Sequence, residues 1–308
     1  IFDFLRTRLR TKITTGIKPV VRCTSNPGGV GHGWVKAVFV DSAPPGTIHE
    51  MRVFSEALNE EQVKRIQYIP ALATDNPHIS KDYIFELEQK PEALRQALLY
   101  GHWDAFEGQA FPEFKNDPAH YADRLETHVI DPFPIPDFWP RYRSFDHGYS
   151  KPFSVGWWAS DTQGRLYRYK EWYGCAPNEP DTGIKLDPEE IAMGIYNREA
   201  EERDKGIRVH GICDPALDDR SRGPSIMDTM RKHNVIFAKG DNTRLPGKMQ
   251  FHNRLRFRPD GTPMVYIFKN CEAFTTTIPS LVNDEIHVED VNTKGEDHVY
   301  DESRYMFM

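Results

Sequence analysis

Residues 141 to 174 read RYRSFDHGYSKPFSVGWWASDTQGRLYRYKEWYG. They contain three runs rich in aromatic and β-branched residues, RYRSFDHG, FSVGWWAS and RLYRYKEWYG, and the turn sequence DTQG separates the last two. Runs of this kind, bounded by turn residues, are typical of β-strands, and short turns between them favour antiparallel neighbours. The stretch therefore predicts an antiparallel meander of three strands.

Helices and strands alternate after the meander. Asp187, Pro188 and Glu190 supply an N-cap, a proline at the first helical position and a capping-box glutamate, which predicts a helix through about Glu202. IRVHGICD then predicts a strand, SIMDTMRKH a helix and VIFA another strand. Three antiparallel strands followed by such units predict an α/β fold, a mixed sheet flanked by helices.

A proline-rich segment precedes the meander. Residues 131 to 140, DPFPIPDFWP, contain four prolines, which excludes the interior of a helix or a sheet. We place a domain boundary there. Ahead of it, the sequence predicts helices in IFDFLRTRLR at the start of the chain and in residues 58 to 66 and 91 to 100, and strands in KPVVRCTS, residues 18 to 25, and AVFV, residues 37 to 40.

Composition narrows the class of protein. The 308 residues are 39% hydrophobic and include no run of about 18 apolar residues, so no membrane span is expected. The four cysteines are far apart and form no C-x-x-C pair, which argues against a disulfide framework or a zinc knuckle and fits a reducing cytosol. The chain begins with Ile1 and is expected to be a piece of a longer polypeptide.

One basic segment stands out against a formal net charge of -7, a charge that disfavours non-specific coating of nucleic acid. Arg244, Lys248, Arg254 and Arg256 follow one another there with no acid between them. The segment is either a track for DNA phosphates, whose binding would weaken with salt, or a solvated surface.

Carboxylates occur at two strand ends and on a late helix. Asp146 and Asp214 end the predicted strands RYRSFD and GICD, and sites on open α/β sheets form at such strand ends. The block EDHVYDESRY is helical in composition and can place Asp297, His298 and Asp301 on one face. Aspartates from these three elements could hold two divalent cations, Mg²⁺ or Mn²⁺, about 4 Å apart for attack of water on a phosphodiester. Alternatively, they are turn and cap residues and a solvated helix face.

The glycine-rich stretch TSNPGGVGHGWVK, residues 24 to 36, has the composition of a phosphate-binding loop without its spacing. Lys36 comes three residues after Gly33, no Ser or Thr follows it, and no G-x-x-x-x-G-K-[ST] occurs anywhere in the chain. A chain without this loop is not expected to hydrolyse ATP.

Together, these blocks resemble the large terminase subunit of tailed bacteriophages, which packages viral DNA into proheads. The resemblance rests on PVVRCTSNPGGVGHGWVK, on residues 65 to 111, and on FDHGYSKPFSVGWWA, GICDPAL and DHVYDESRY in this order. It implies that residues 1 to 70 are the C-terminal remnant of a P-loop ATPase domain, 71 to 139 a helical linker segment, and 140 to 308 an RNase H-like nuclease domain.

The resemblance also implies the roles of single residues in the nuclease. Asp146, Asp214 and Asp301 would be the metal ligands, with His298 beside the last of them. The family commonly shows DHxxDAxRY where this chain has DHVYDESRY. Glu302 and Ser303 thus depart slightly from the pattern, and the ligand positions are unchanged. The implied activity is a metal-dependent endonuclease that cuts concatemeric viral DNA with two divalent cations.

For the motor part, the resemblance implies that Thr24, Ser25 and Asn26 form the motif that couples nucleotide hydrolysis to DNA movement. Both Walker elements are missing, so ATP would be used only by the intact parent protein. The implied partners are double-stranded DNA, the portal protein and the small terminase subunit, in the cytoplasm of the bacterial host. A non-catalytic module that grips DNA is the alternative function, and a cellular RNase H or resolvase is disfavoured because it would not need residues 1 to 131.

Overall fold

The computed structural model describes most of the chain. The described residues are 19–27, 32–55, 59–90, 92–103, 108–177, 179, 181–221, 223–284, 287, 289–293 and 295–308. The helix predicted at the start of the chain and the glycines at positions 28, 29 and 31 lie outside these ranges. No helix within them is long and apolar enough to cross a membrane.

The strands form a small hairpin and a large mixed sheet. They are β1 (Ile48–Ser55), β2 (Glu60–Gln67), β3 (Val129–Ile130), β4 (Arg141–Asp146), β5 (Ser154–Ser160), β6 (Leu166–Tyr173), β7 (Val209–Cys213), β8 (Phe237–Lys239) and β9 (Val265–Phe268). The hairpin pairs β1 with β2, and the seven-stranded sheet has the order β3-β9-β6-β5-β4-β7-β8. Strands β4, β5 and β6 are antiparallel neighbours, which confirms the predicted meander. On either side of the meander the pairing is parallel: β4 pairs with β7 and β7 with β8, and β6 pairs with β9 and β9 with β3.

Some of the described helices cover the two faces of this sheet, and others precede it in the chain. They are α1 (His32–Val35), α2 (Lys81–Glu88), α3 (Glu92–Leu98), α4 (Pro188–Arg198), α5 (Ala200–Asp204), α6 (Ile226–Lys232), α7 (Arg244–Leu255), α8 (Glu272–Thr277) and α9 (His298–Phe307). Trp157 of the central strand β5 packs in a core with α4 and α6, whereas the adjacent Trp158 packs in a second core with α7, α8 and α9. Successive residues of a strand point to opposite faces, so both tryptophans are fully buried. The predicted α/β class, a mixed sheet flanked by helices, is confirmed.

Local sequence sets the start of α4. The side chain of Asp187 accepts a hydrogen bond from the backbone N–H of Glu190 at 2.8 Å, and the Glu190 carboxylate accepts one from the backbone N–H of Asp187 at 2.9 Å. This is the predicted capping box, with Pro188 at the first helical position. The predicted helix runs to Arg198 and resumes as α5 after a break at Glu199.

The proline-rich segment forms neither a helix nor a strand, as predicted. The buried guanidinium of Arg141 donates hydrogen bonds to the carbonyl oxygens of Trp139, Pro136 and Ile135, at 2.6, 2.9 and 3.2 Å. These bonds hold the segment against the first residue of β4. Phe111, which precedes the segment, is fully buried in the core shared by α7 and α9.

Several predictions for the first hundred residues were wrong. Residues 58 to 66 were predicted to be helical, but β2 pairs along its whole length with β1, and Glu50 faces Arg65 across the hairpin with an ion pair of 2.7 Å. Cross-strand pairing outweighs the helical composition of these residues. Residues 19 to 25 form no strand and are mostly exposed, and Lys36–Val40 continues α1 as a π-helical turn. The helix predicted in residues 91 to 100 is confirmed as α3.

Candidate functional site

Two aspartates leave the large sheet at the same edge. Asp146 is the last residue of β4, and Asp214 directly follows β7. The strands are parallel with Phe145 opposite Cys213, so both carboxylates project beyond the carboxyl ends of neighbouring strands. Asp214 accepts a hydrogen bond from the backbone N–H of Ala216 at 2.8 Å, which orients its side chain at the strand end. This edge is where sites form in open α/β sheets.

The helix α9 brings the other predicted residues to this edge, because it packs against both β4 and β7. In its first turn, Nδ1 of His298 lies 3.2 Å from Oδ2 of Asp146. Further along the helix, the hydroxyl of Tyr305 donates a hydrogen bond to Oδ2 of Asp214 at 3.0 Å. Asp301 lies between these two residues on α9. The structure thus brings together all four residues that the sequence singled out for the nuclease.

Negative charge is concentrated at this site. Burial, together with the charges of Asp301 and Asp214, raises the pKa of Asp146 to about 6, although the hydrogen bond with His298 lowers it. Burial and the charges of Asp301 and Asp146 raise the pKa of Asp297, just ahead of α9, to about 7. The aspartates therefore lie within electrostatic reach of one another, and their mutual repulsion would favour a bound cation.

The imidazole of His298 lies between two carboxylates. Its Nδ1 faces Asp146, and its Nε2 lies 3.6 Å from Oδ1 of Asp181. Burial lowers the pKa of His298, but the hydrogen bond to Asp146 and the charges of Asp146, Asp297 and Asp181 outweigh burial and raise it. Asp181 lies in the segment between β6 and α4, and nothing in the sequence indicated that it would reach the site.

Two arginines contact Asp301. Arg304, three residues later on α9, donates to its Oδ1 from Nη2 at 2.9 Å and from Nε at 3.2 Å. Nη1 of Arg244 lies 3.7 Å from the same oxygen. Asp301 therefore has positive partners within the protein, whereas Asp146 is paired with a histidine and Asp214 with a tyrosine hydroxyl.

The donor chemistry of the site fits a hard divalent cation. Its side chains supply carboxylate oxygens, which Mg²⁺ and Mn²⁺ prefer, and the charges of neighbouring carboxylates contribute to the raised pKa values of Asp146 and Asp297. Within the part of the chain that is described, no three His, Cys, Asp or Glu side chains are arranged closely enough to hold a metal ion. A cation here would require these side chains to approach one another more closely than they do in the structure.

The basic segment proves to be the helix α7, and its cations differ in exposure. Arg244 is ion-paired with Asp290 at 2.6 Å in addition to its contact with Asp301. Lys248 is largely buried and donates to Oδ1 of Asn283 at 2.6 Å, and Arg254 is half-buried over the ring of Phe307. Arg256 is exposed at the end of the helix. The four residues do not form one exposed strip, and their role in DNA binding stays a prediction.

Thr24, Ser25 and Asn26 are exposed in an irregular segment. The hydroxyl of Ser25 donates to the carbonyl of Asn26 at 3.4 Å. Their proposed role in coupling nucleotide hydrolysis to DNA movement also stays a prediction.

No protein-family profile and no curated protein matches this sequence. Among solved structures, the chain is similar to the large terminase from a thermophilic bacteriophage in complex with ATP-γ-S, with a TM-score of 0.51 and 20% identity. The match covers 92% of this chain and 61% of that one, so the chain spans less than two thirds of the thermophilic phage protein. A second structure of the same terminase, in complex with ADP, gives the same TM-score and identity.

The chain is also similar to the P22 large terminase nuclease domain, with a TM-score of 0.46 and 14% identity over 66% of this chain and 92% of that one. The likeness to the thermophilic phage protein shows that the chain has the fold of a large terminase, as the sequence resemblance implied. At this level of identity the likeness establishes the fold alone.

Proposed function

We propose that the protein is a metal-dependent endonuclease of a phage DNA-packaging terminase, which cuts concatemeric viral DNA by hydrolysing phosphodiester bonds. The observation that carries this proposal is the meeting of Asp146, Asp214 and Asp301 at one sheet edge, where charge repulsion among aspartates contributes to a pKa of about 6 for Asp146. Buried carboxylates that disfavour their own ionisation are a common property of catalytic sites.

Asp146, Asp214 and Asp301 would hold the two divalent cations, Mg²⁺ or Mn²⁺. When bound, such cations supply a Lewis acid for the phosphodiester and lower the pKa of a bound water. The chain's own residues prepare this arrangement: Tyr305 orients Asp214 through its hydroxyl, and His298 orients Asp146 through Nδ1. His298, whose pKa is raised, can also hold a proton beside Asp146.

The remaining assignments are part of the same proposal. Residues 1 to 70 would be the remnant of the ATPase domain, with Thr24, Ser25 and Asn26 as its coupling motif and ATP used only by the intact parent. Double-stranded DNA, the portal protein and the small terminase subunit would be the partners, in the host cytoplasm. Arg256, which directly follows α7, is the exposed member of the proposed DNA contacts.

Plasmid cleavage in Mn²⁺, with and without EDTA, tests the activity. We expect Asp146→Ala, Asp214→Ala and Asp301→Ala each to reduce cleavage to the level of wild type in EDTA, with unchanged circular dichroism. Asp137→Ala, which removes an exposed carboxylate from the proline-rich segment, is the matched control and should cut like wild type. Undiminished cutting by all three site variants would refute the proposal.

One observation favours a second candidate, a non-catalytic module that grips DNA. Arg304 and Arg244 already neutralise Asp301 in the structure, so the site could be a stable charge network. Anomalous scattering from crystals soaked in Mn²⁺ separates the two functions. Density between the three aspartates supports the nuclease, whereas DNA binding without metal at the aspartates supports the gripping module.

A further inference from the structure

The segment between β6 and α4 carries a carboxylate into the proposed nuclease site. Asp181 has a positive φ of 61°, a conformation that non-glycine residues seldom adopt. Its Oδ2 is ion-paired with Lys151. Its Oδ1 is buried, accepts no hydrogen bond within the described ranges of the chain, and lies 3.6 Å from Nε2 of His298. A buried carboxylate oxygen without a hydrogen bond lowers the stability of the folded protein. Its position beside the imidazole of His298 therefore indicates a role in the site.

Backbone contacts fix the position of this segment. The N–H of Gly183 donates to the carbonyl of Ser150 at 2.9 Å, and the N–H of Ala176 donates to the carbonyl of Thr182 at 2.7 Å. A methyl group at Gly183 would overlap the carbonyl oxygens of Tyr149 and Lys151, so the two segments approach each other as closely as glycine allows. Asp181 is therefore held against residues 149 to 151, in the loop that follows Asp146.

The same segment is also linked to the start of α9. The hydroxyl of Tyr173 donates to Oε1 of Glu296 at 2.8 Å, and the backbone N–H of Asp181 lies 3.4 Å from the same oxygen. Glu296 precedes His298 by two residues. Both sides of the contact between Asp181 and His298 are thus supported by further hydrogen bonds.

We propose that Asp181 is a positioning residue for His298, which it holds by Nε2 so that Nδ1 faces Asp146. This inference rests on the proposed nuclease function. Without Asp181, the imidazole can rotate away from Asp146, and the carboxylate that would bind a cation loses its orientation. Residues that orient the ligands of a metal site change metal affinity or activity by about 10- to 100-fold when they are replaced.

The test compares Asp181→Ala and Asp181→Asn with Glu179→Gln, a matched control that removes an exposed carboxylate from the same segment. Three quantities are measured: the ¹⁵N and ¹H shifts of the His298 ring, the affinity for Mn²⁺ by calorimetry, and kcat and KM for plasmid cleavage. We expect both Asp181 variants to change the ring shifts and to lower Mn²⁺ affinity and kcat by about 10- to 100-fold, with KM for DNA unchanged. Asp181→Glu should restore part of the loss, and Glu179→Gln should match wild type.

Failure of this inference can be separated from failure of the proposed function. If wild type binds Mn²⁺ and cuts DNA, and both Asp181 variants keep wild-type ring shifts, Mn²⁺ affinity and kcat, Asp181 is only a counter-ion for Lys151 and the inference is refuted. If wild type neither binds Mn²⁺ nor cuts DNA, the nuclease proposal fails, and the ring shifts alone decide whether Asp181 positions His298. A loss of folding in Asp181→Ala leaves the isosteric Asp181→Asn to decide.

Discussion

The buried ion pair between Arg168 and Glu302 offers a quantitative test of how α9 is held on the sheet. Both side chains are fully buried, and Nη1 of Arg168 lies 2.7 Å from Oε2 of Glu302. The carboxylate also accepts hydrogen bonds from Ser144 and, at 3.2 Å, from Ser154. The pair joins β6 to the residue next to Asp301, so its strength bears on the position of the proposed site.

Arg168→Met would leave the carboxylate of Glu302 buried without its cation. At an effective dielectric constant of about 20, unit charges about 3 Å apart attract by roughly 5.5 kcal/mol, and desolvation offsets much of this in the intact pair. Removing one partner leaves the other desolvated, so we expect the free energy of unfolding to fall by about 3–5 kcal/mol. The double variant Arg168→Met/Glu302→Leu removes both charges and should recover roughly half of the loss or more, although Glu171 also loses its contact with Arg168.

Urea unfolding followed by tryptophan fluorescence measures this effect, because Trp157 and Trp158 lie in the two cores that cover the sheet. The control is Lys205→Met, which breaks an exposed ion pair with Glu201 and should leave the midpoint unchanged. The reasoning is refuted if Arg168→Met unfolds like wild type, or if the double variant is as unstable as the sum of its single variants.

Three further predictions concern stability. Gly156→Ala should cost about 1–3 kcal/mol in urea unfolding, because a methyl group there would overlap both Arg168 and Glu302; a wild-type midpoint would contradict this. Because the pKa of Asp297 is raised to about 7 in the folded protein, its folded form retains a proton that the unfolded chain releases, and stability falls as pH rises from about 4 to 7. Measured in EDTA, the free energy of unfolding of Asp297→Asn should decline less over this pH range than that of wild type, by up to about 4 kcal/mol at pH 8. A pH profile identical to that of wild type would exclude the effect. Asp187→Ala removes the N-cap of α4 and should lower the free energy of unfolding, measured by thermal denaturation, by about 1 kcal/mol. A melting temperature equal to that of wild type would contradict this.

The large sheet could be predicted from sequence because its signals are local. The meander is bounded by turn residues, and the capping box at Asp187 appears in the structure with both of its hydrogen bonds. The edge of the sheet could also be predicted, because Asp146 and Asp214 each end a strand and parallel strands end together. For these elements, strand pattern, turn chemistry and helix capping all favour the same structure.

The features that could not be predicted depend on contacts between residues that are distant in sequence. The strand β2 contains many charged residues and has almost no buried side chains, so only its pairing with β1 distinguishes it from a helix. Asp181 reaches His298 through a segment without regular secondary structure, for which the sequence offers no periodicity. The basic residues of α7 were recognised by charge, but the sequence could not show that Lys248 points inward to Asn283.

Glu302, at which the sequence departs from the pattern of the family it resembles, shows how a residue outside the site can determine its geometry. One step along an α-helix turns the side chain by about 100°, so Asp301 faces the strand ends while Glu302 faces the interior of the sheet. A carboxylate there would be prohibitively costly alone. It is accommodated because Arg168 supplies the opposite charge and Gly156 leaves room for both groups. Replacing Arg168 would leave the charge of Glu302 unpaired, and a side chain at position 156 would overlap both groups. Arg168, Glu302 and Gly156 therefore specify how α9 lies on β5 and β6, and thereby where Asp301 stands relative to Asp146.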